Sequence, residues 1–560
     1  MLVPIPAAAV LLLFCTVVQA KSRVVTVCRN DHGDYETFEG RRKNACHTPL
    51  ATAKLDNKIN ATGWGFLEVE TTGQGSLLEQ AYAAGVAEGQ VTRELIYANL
   101  LNTVDGYCDG AKEFCQRLGV FLEKNFLWMA AQIFTHPNDP YWQHVNVTME
   151  QLRGLLDGYE QRRLSLNEIT VHPIYMLQLM GDHDDLEVKL HKPPNPLAVR
   201  RGNTHCSALI KPAPGNKELL VSHVTWTSYS SMLRLQKVYK FGSSSCSSFP
   251  GYIKSMSGYP GTLASIDDFV LLSSGLAVTE TTIENHNLEL YKFTTPSTIL
   301  SWIRSQIAHR LANSGKEWAE IFSKYNSGTY NNQWMVIDYK LFTPGQPLPA
   351  EGLLYVLEQM PGYVEHSDRT HVLKDQGYWP SYNRAYYERI FNISNCWPMV
   401  QKFGDYYSYS MAPRGRIFRR DQHTVVDMKS LQRMMRYNDY TNDPLSRCSQ
   451  CNPPYSADLA ISARNDLNPQ NGSYPFGDLA FKDEGATDMK ATNSVLMKKL
   501  RFRAIAGPTY DQVPAFNWKT SPLRDVVKHF AQPDLWRFDP IVHPWSRGIK
   551  MTPPGDTDDC

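Results

Sequence analysis

The chain of 560 residues lacks the sequence features by which several large classes of protein are recognised. Its net charge is only +1, and no polybasic or amphipathic stretch indicates a surface for nucleic acid or for a membrane. After residue 20, no apolar run reaches the ~18 residues that indicate a membrane-spanning helix. We therefore expect a globular protein with no transmembrane anchor and no nucleic-acid partner.

The common motifs of hydrolases and nucleotide-binding proteins are missing as well. The sequence contains no G-x-S-x-G elbow, no H-E-x-x-H, no P-loop and no G-x-G-x-x-G. The acidic stretch 181–185 has residue types that ligate metals, but such stretches are usually solvated turns. We predict neither a metal site nor a cofactor.

The first 20 residues have the apolar centre and the small-residue end of a secretory signal peptide. This predicts entry into the secretory pathway, where Asn-x-Ser/Thr sequons can carry glycans on exposed loops. Four sequons occur, at Asn60, Asn146, Asn392 and Asn471.

Eleven cysteines occur, and ten of them follow the predicted signal peptide. An oxidising compartment permits disulfides, and two pairs are close enough for small local loops: Cys108 with Cys115, and Cys448 with Cys451. The second pair is a C-x-x-C, but it has neither a partner C-x-x-C for zinc nor a thioredoxin-like context, so a structural disulfide is favoured. The pairing of the others stays open: Cys28, Cys46, Cys246, Cys396 and Cys560.

The hydrophobic pattern changes character at about residue 206. Before it, strand-like runs at 23–27 and 62–70 accompany several helical patterns, one of which Ser76 could cap. After it, short β-rich segments follow at 206–211, 218–226, 232–241, 252–256, 268–273 and 275–281. Further segments are helices at 297–312 and 315–324, strands at 331–339 and 353–359, and a loop-like C-terminal part with one helix near 431–437. Strand groups flanked by helix groups predict an α+β fold with layered sheets.

Cys206 stands where a linker meets a predicted β-hairpin. Residues 190–205 are basic, proline-rich and without apolar periodicity, which is typical of an exposed linker. A chain cut before Cys206 would carry a thiol and a free α-amine on one residue. With a reference pKa of about 7.7–8.0, that amine can act as general base for its own side chain. The alternative is a buried cysteine that only fills the core.

His223 follows seventeen residues later, on the second strand of the same hairpin. There it could bind a substrate carbonyl or orient the thiolate of Cys206. The alternative, equally weighted on the residue alone, is a strand histidine with a purely structural role.

Seven long or uncommon strings are spread over nearly the whole chain. They are 205–211 (HCSALIK), 223–226 (HVTW), 278–282 (VTETT), 326–334 (NSGTYNNQW), 436–439 (RYND), 461–469 (ISARNDLNP) and 532–536 (QPDLW). On these strings the chain resembles the phospholipase B-like family of the lysosomal type. The resemblance implies an α+β fold that is a four-layer αββα sandwich of the N-terminal nucleophile (Ntn) hydrolase type. It also implies a glycosylated protein of the lysosome lumen, with secretion as a further destination.

The resemblance further implies self-cleavage between His205 and Cys206. The chain would then consist of a signal peptide (1–20), an N-terminal chain (21–205) and a C-terminal catalytic chain (206–560). The last two would remain associated as one Ntn-hydrolase unit. A homodimer is left open.

The family pattern also supplies candidate site residues. It makes Cys206 the nucleophile, and it lines the pocket with His223 and Trp226. Further site residues map to Thr281, Asn383 and Arg414 in this sequence.

Two of these residues have expected roles that follow from their chemistry. We expect Asn383 and a backbone N–H to donate to the oxyanion. We expect Arg414 to hold a carboxylate, a phosphate or the asparagine. Asn331 and Asn332 are a rival oxyanion pair, although a turn before a strand is the favoured interpretation of these two.

Three hypotheses for the function remain. The favoured one is a lysosomal acyl hydrolase that removes fatty acyl chains from phospholipids through a thioester on Cys206. A second is an amidase, since Ntn relatives mostly cleave amides. A third is a lumenal lipid-binding glycoprotein without catalytic activity, in which self-cleavage only matures the chain.

Overall fold

The computed structural model describes residues 22–40, 46, 48–194, 205–242 and 249–551. The predicted signal peptide, most of the predicted linker, Cys246 and Cys560 lie outside the described residues. Within the described ranges, α and β elements are mixed along the chain.

The strands of the described residues are given first, in chain order. They are β1 (Arg23–Arg29), β2 (Tyr35–Glu39), β3 (Thr48–Lys58), β4 (Trp64–Thr71), β5 (His205–Pro212), β6 (Leu219–Ser228), β7 (Arg234–Lys240), β8 (Ile253–Gly258), β9 (Val270–Leu272), β10 (Leu276–Thr282), β11 (Asn332–Asp338), β12 (Leu354–Met360), β13 (Tyr363–Asp368), β14 (Trp379–Ser381), β15 (Glu484–Ala486), β16 (Asp488–Thr492), β17 (Arg503–Ala506), β18 (Phe516–Asn517), β19 (Leu535–Trp536) and β20 (Ile541–Val542).

The α-helices of the same residues lie mainly before β5 and after β10. They are α1 (Ile59–Thr62), α2 (Leu77–Val91), α3 (Arg93–Thr103), α4 (Lys112–Thr135), α5 (Pro140–Glu160), α6 (Leu166–Ile169), α7 (Pro173–Gln178), α8 (His183–Lys189), α9 (Ser301–Leu311), α10 (Gly315–Ser323), α11 (Thr370–Gln376), α12 (Glu388–Ile393), α13 (Cys396–Phe403), α14 (Pro413–Asp421), α15 (Met428–Met435) and α16 (Ser494–Met497).

Two large sheets organise the molecule. The larger has the strand order β13-β12-β11-β10-β9-β8-β7-β4-β3-β1-β2, and the smaller has the order β14-β5-β6-β16-β17-β20, with β15 also paired to β6. The pairing of β4 with β7 is parallel, whereas the other neighbours in these sheets are antiparallel. Because β4 precedes Cys206 and β7 follows it, the two parts of the chain share one continuous sheet.

The two sheets stack on each other, and helices pack on their outer faces. Ala208 and Val221 of the smaller sheet share a core with Met335 of the larger sheet. The other face of the larger sheet packs against helices α2 and α10, and the other face of the smaller sheet packs against α14 and α15. The predicted α+β fold with layered sheets is confirmed.

Most of the predicted elements match the structure closely. The six β-rich segments after residue 206 correspond to β5 to β10, and Ser76 caps α2 as expected. Its hydroxyl accepts from the Glu79 N–H at 3.3 Å, and the Glu79 carboxylate accepts from the Ser76 N–H at 2.8 Å. This reciprocal pair satisfies two N–H groups that a helix start otherwise leaves unpaired.

The loop-like C-terminal part is a prediction that the structure corrects. Strands β15, β16 and β17 lie there, and β16 pairs with β6 near the middle of the smaller sheet. The strands were not predicted because β16 carries Asp488 and Lys490, and charged residues in a local pattern indicate exposure to solvent. In the structure both side chains are buried.

The sequons also differ from the expectation that all lie on loops. Asn60 and Asn392 are exposed but belong to the short helices α1 and α12, and Asn471 lies in an exposed turn. Asn146 is half-buried inside the long helix α5. Three of the four positions are therefore open at the surface for a glycan.

Disulfides join both of the predicted local pairs. Cys108 is bonded to Cys115 and Cys448 to Cys451, and a third disulfide joins Cys28 to Cys46. Among the described residues, Cys206 and Cys396 are free and buried.

Candidate active site

The backbone register of the β5–β6 hairpin brings Cys206 and His223 onto one face. Cys206 is opposite Thr225, and Ala208 is opposite His223. Since side chains alternate along a strand, Cys206, His223 and Thr225 point to the same side, toward the core between the two sheets. The Cys206 thiol is unpaired, and the residue is 1% exposed.

A carboxyl group from the other sheet meets this thiol. Cys206 Sγ lies 4.0 Å from Oε1 of Glu280 on β10, and candidate ligand atoms of Cys206, His223 and Glu280 all lie within 4.8 Å of one another. The Tyr330 hydroxyl lies 3.1 Å from Glu280 Oε1 and 2.8 Å from Asp268 Oδ2. One hydroxyl proton cannot serve two carboxylates, so one of the two carboxyl groups is protonated and donates to the tyrosine oxygen.

Burial sets the protonation states around the thiol. It raises the pKa of the Cys206 thiol well above its usual value, and the nearby Glu280 raises that pKa further. Burial also lowers the pKa of His223 well below its usual value, so the imidazole is neutral. It raises the pKa of Glu280 well above normal and that of Asp268 to about 8. The resting site thus holds a protonated thiol beside a neutral imidazole.

The raised pKa of Asp268 leads to a testable dependence of stability on pH. Between the unfolded value of about 3.9 and the folded value of about 8, the folded chain holds a proton on this group that the unfolded chain has lost. The contribution of Asp268 to the free energy of unfolding is therefore fully present below about pH 4 and is lost as the pH rises through 8. The uncharged variant Asp268→Asn lacks this dependence. Relative to wild type it should gain up to about 4 kcal/mol between pH 5 and pH 8, since each of the three pH units corresponds to about 1.4 kcal/mol.

Urea unfolding of both proteins at several pH values measures this difference. Asp375→Asn, at an exposed position of α11, is the matched control, and its curve should run parallel to wild type. If the Asp268→Asn curve also runs parallel, Asp268 is not protonated in the folded chain.

Two side chains hold the backbone of Cys206 on either side of its Cα. The Cys206 N–H donates to Asn383 Oδ1 at 3.0 Å, and Arg414 Nη1 donates to the Cys206 carbonyl at 2.6 Å. The Asn383 amide is oriented by its Nδ2, which donates to the Thr282 carbonyl at 2.7 Å. Asn383 itself has φ +63°, a left-handed conformation that asparagine tolerates better than most residues.

The contacts of Asn383 and Arg414 in the uncleaved chain are with the backbone of Cys206, and the roles expected for them in catalysis stay predictions. Asn383, which was expected to donate to an oxyanion, donates one amide N–H to the Thr282 carbonyl and accepts from the Cys206 N–H with its oxygen. Arg414 was expected to hold an anion or the asparagine, but it binds the Cys206 carbonyl and lies over the Trp226 ring at 4.2 Å. Both residues therefore position the backbone of residue 206.

The remaining two predicted site residues, Trp226 and Thr281, lie in different surroundings. Trp226 is opposite His205 in the hairpin register, so its side chain projects to the face away from the Cys206 thiol. Thr281 donates to or accepts from Ser381 at 2.6 Å, and its hydroxyl is 3.4 Å from the Asn383 N–H. Thr281 thus supports the turn that carries Asn383.

A buried ionic cluster lies behind Thr225, the residue opposite Cys206. Lys490 donates to Thr225 Oγ1 at 2.6 Å and to Asp488 at 2.7 Å. Arg234 donates to Asp488 at 2.7 Å and also to Asp267. Burial lowers the pKa of Lys490 to about 8, although Asp488 opposes that shift. Loss of one of these side chains would leave its partner buried with an uncompensated charge. The cluster therefore fixes the position of β6 against β16.

The His205 side chain is held by carboxylates. Its Nε2 donates to Glu284 at 3.0 Å, and its Nδ1 lies 3.7 Å from Glu484. Burial alone would lower the pKa of His205, but these two carboxylates raise it to about 9, so the imidazole is charged. A cleft of about 730 Å³ opens next to Glu484 and extends to Pro194, after which the described residues resume at His205.

Other residues singled out from the sequence lie outside this contact network. The Asn331 amide donates to Asp185 at 3.0 Å, and Asn332 is the first residue of β11, as the favoured interpretation predicted. The acidic stretch 181–185 is not a solvated turn: Asp182 is buried and accepts from the Ser301 N–H at 3.0 Å. The Asp182 carboxylate therefore pairs with a backbone N–H in the first turn of α9.

Sequence reasoning missed Glu280, Tyr330 and Asp268. Glu280 and Tyr330 lie inside two of the uncommon strings, but the neighbouring Thr281 was singled out instead of Glu280. A glutamate in the middle of an otherwise apolar and threonine-rich strand was the available signal, because carboxylates are rarely buried without a partner.

A buried free thiol, with a neutral imidazole beside it and its peptide nitrogen held in place, makes this a candidate nucleophile site in an α+β protein. Comparison of the sequence with known families identifies the family of the chain. A family model described as Phospholipase B matches residues 51–543, and the chain belongs to this family.

Curated relatives extend over nearly the full length. "Putative phospholipase B-like 1" of Caenorhabditis elegans is 50% identical over 538 residues, which cover 94% of this chain and 93% of that protein. "Putative phospholipase B-like 2" of Homo sapiens is 46% identical over 526 residues, 92% of this chain and 88% of that protein. "Phospholipase B-like protein B" of Dictyostelium discoideum is 36% identical, covering 88% and 85%. The resemblance found in the sequence is confirmed.

Proposed function

We propose that the chain is an acyl hydrolase that matures by cleaving its own His205–Cys206 bond. It then uses Cys206 as an N-terminal nucleophile to release fatty acids from phospholipids. The observation that carries the proposal is the hydrogen bond of 3.0 Å from the Cys206 peptide nitrogen to Asn383. The atom that would become the α-amine is already held in place beside a free thiol.

Self-cleavage would begin with transfer of the thiol proton to His223, whose Nε2 has no hydrogen-bond partner in the described residues. The sulfur attacks the His205 carbonyl carbon, and the C–N bond between His205 and Cys206 breaks. The nitrogen takes up a proton and becomes the α-amine of Cys206. Water then hydrolyses the thioester, leaving His205 with a carboxylate and freeing the thiol.

Substrate hydrolysis would repeat the same bond changes on an external acyl group. The α-amine takes the thiol proton, the sulfur attacks the acyl carbonyl, and the alcohol leaves with a proton. Water then releases the fatty acid from the thioester. The amine is the preferred base because its reference pKa of about 7.7–8.0 lies close to neutral pH. Asn383 and Arg414 hold the nucleophilic residue, and Thr281 supports Asn383.

The two chains produced by cleavage would remain together. β4 of the N-terminal chain (21–205) and β7 of the C-terminal chain (206–560) pair along Trp64–Glu70 and Arg234–Lys240. Separation would expose a strand edge in the middle of a large sheet together with its apolar faces, which is strongly unfavourable.

The compartment proposed is the lysosome lumen, reached through the secretory pathway. Three disulfides among the described residues support an oxidising route. The exposed positions Asn60, Asn392 and Asn471 support glycosylation. Within the described residues no helix is both long and apolar enough to cross a membrane.

Mass spectrometry of the protein from lysosomes tests the maturation step. We expect a C-terminal chain whose first residue is Cys206, together with an N-terminal chain that ends at His205 or, after trimming, earlier. Co-purification of the two chains under native conditions is expected as well. An intact His205–Cys206 bond in the lysosomal protein would exclude the Ntn mechanism.

A further inference from the structure

The three groups around the thiol have the composition of a metal site. Candidate ligand atoms of Cys206, His223 and Glu280 lie within 4.8 Å of one another, and all three residues are fully buried. A second observation concerns their hydrogen bonds. His223 Nε2 and Glu280 Oε2 are buried atoms without a partner in the described residues. Leaving such atoms unpaired usually costs about 1–3 kcal/mol each, so the pair calls for a ligand.

The hydrogen bonds of Glu280 and His223 leave one polar atom of each side chain without a partner among the described residues. The Tyr330 hydroxyl occupies only Oε1 of Glu280, at 3.1 Å, which leaves Oε2 available. Nδ1 of His223 lies 3.5 Å from the Thr225 hydroxyl, which leaves Nε2 available. Thr225 is fixed in turn by the amine of Lys490 at 2.6 Å. A second contact that orients the imidazole is a regular feature of histidines that bind metals.

The donor types select the ion. A thiolate and an imidazole favour Zn²⁺ over the oxygen-seeking Mg²⁺ and Ca²⁺. Three protein ligands of the sulfur, nitrogen and oxygen types leave a fourth tetrahedral position for water. We propose that Cys206, His223 and Glu280 bind one Zn²⁺ and that the bound ion blocks the nucleophile. The blocking effect rests on the proposed function, whereas binding itself does not.

The protons balance without any redox step. As the S–Zn bond forms, the thiol proton of Cys206 leaves to solvent, and a proton held by Glu280 leaves in the same way. The reverse exchange, in which a chelator removes Zn²⁺ and the thiol regains its proton, frees the site. Zinc would therefore hold both self-cleavage and substrate hydrolysis in check.

A second group of ligand-type residues, His205, Glu284 and Asp478, is less suited to an ion. Glu284 is already bound by His205 at 3.0 Å and by His286 at 3.2 Å. The Lys482 amine is 3.6 Å from Glu484 at the same place. A cation would have to displace charged partners there, whereas the site at Cys206 offers two atoms without partners.

Metal content tests the binding. The full chain and its variants are produced in zinc-supplemented medium, so that the ion is present during folding, and are then dialysed and measured for zinc. We expect about one Zn²⁺ per wild-type chain and roughly a tenth of that or less in Cys206→Ala, His223→Gln and Glu280→Gln, because each substitution removes one of three ligands. Cys396→Ala and His309→Gln are the matched controls, since both positions are buried and neither belongs to the cluster of proposed ligands, and they should keep the zinc.

Cobalt substitution supplies a readout that reports the sulfur ligand. Co²⁺-loaded wild type and Cys396→Ala should show the thiolate-to-cobalt charge-transfer absorption, and Cys206→Ala should lack it. Equal zinc content in wild type and Cys206→Ala, or the same cobalt spectrum in both, overturns the proposal.

The inhibitory effect is measured separately. Adding a chelator to the zinc-loaded chain should raise the rates of fragment formation and fatty-acid release at least several-fold, and adding Zn²⁺ back should lower both. Cys206-dependent zinc in a protein that neither cleaves itself nor hydrolyses lipid would leave the metal site standing and reject the proposed function. Hydrolysis by a chain that binds no zinc would support the proposed function and reject the metal site.

Discussion

Cys206→Ala is expected to abolish cleavage before residue 206 and to lower fatty-acid release from phosphatidylcholine by roughly 10³-fold or more. The substitution removes the sulfur that forms the thioester, and no neighbouring group can replace it. His223 and Glu280 lie near the thiol, but neither can form the proposed thioester. Purified wild type and variant are compared at about pH 5 by gel analysis of the fragments and by fatty-acid release.

The control for this experiment is Cys396→Ala. Cys396 is the other free buried cysteine among the described residues, and its sulfur contacts Ser394 at 3.2 Å, outside the network around Cys206. Both variants remove one buried sulfur atom, so their melting temperatures should be similar, whereas only Cys206→Ala should lose activity. Cys206→Ser is less suitable, because a serine can also cleave its own chain. Equal fatty-acid release by wild type and Cys206→Ala would reject both enzyme hypotheses and support the non-catalytic lipid-binding hypothesis.

The same comparison separates esterase from amidase activity. N-acyl amines are offered beside phosphatidylcholine, at equal concentration. Faster Cys206-dependent release from the ester supports the favoured hypothesis, and faster release from the amide supports the alternative. The recorded contacts of Cys206 do not select one bond.

The hairpin that carries the site follows from local sequence. The run of alternating side chains from Cys206 to Lys211, the turn at 212–217 and the run to Trp226 specify β5 and β6 almost to the residue. Because the side-chain period of a strand is two, this register alone places His223 on the face of Cys206. That part of the site could be predicted because it depends on contacts within about twenty residues of the chain.

The partner strand β16 could not be predicted in the same way. It lies more than 250 residues from β6 along the chain, as the hydrogen bond from the Thr225 N–H to Asp488 shows. Asp488 and Lys490 look like solvent-exposed residues when the segment is read alone. They are buried because Arg234 and Asp267, from other elements, complete the charges. Local patterns do not contain that information.

Roles proved harder to predict than positions. The family resemblance implied that Asn383 and Arg414 belong with Cys206, and the structure brings both to its backbone. Which atom each one contacts depends on the turn at Asn383 and on the stacking of Arg414 over Trp226. Neither feature has a signature in the residue types alone.

Asn383→Gly is expected to slow acyl hydrolysis roughly 10²-fold, mainly through kcat, because the base is no longer held against the thiol it serves. Glycine is the right deletion here, since Asn383 has φ +63° and glycine adopts that conformation without strain. Loss of the carbonyl that accepts from the Cys206 nitrogen also removes a partner of the protonated amine. The pKa of the amine should therefore fall, and the acid limb of kcat against pH should move to lower pH.

Asn395→Gly is the matched control for this variant. Asn395 has φ 59° and precedes α13 at an exposed position, so the substitution makes the same chemical change away from the site. Its kcat, its pH profile and its melting temperature should stay near those of wild type. If Asn383→Gly lowers only the melting temperature and leaves the pH profile in place, Asn383 supports the turn and not the amine. If its kcat equals that of wild type, the hydrogen bond to the Cys206 nitrogen has no part in catalysis.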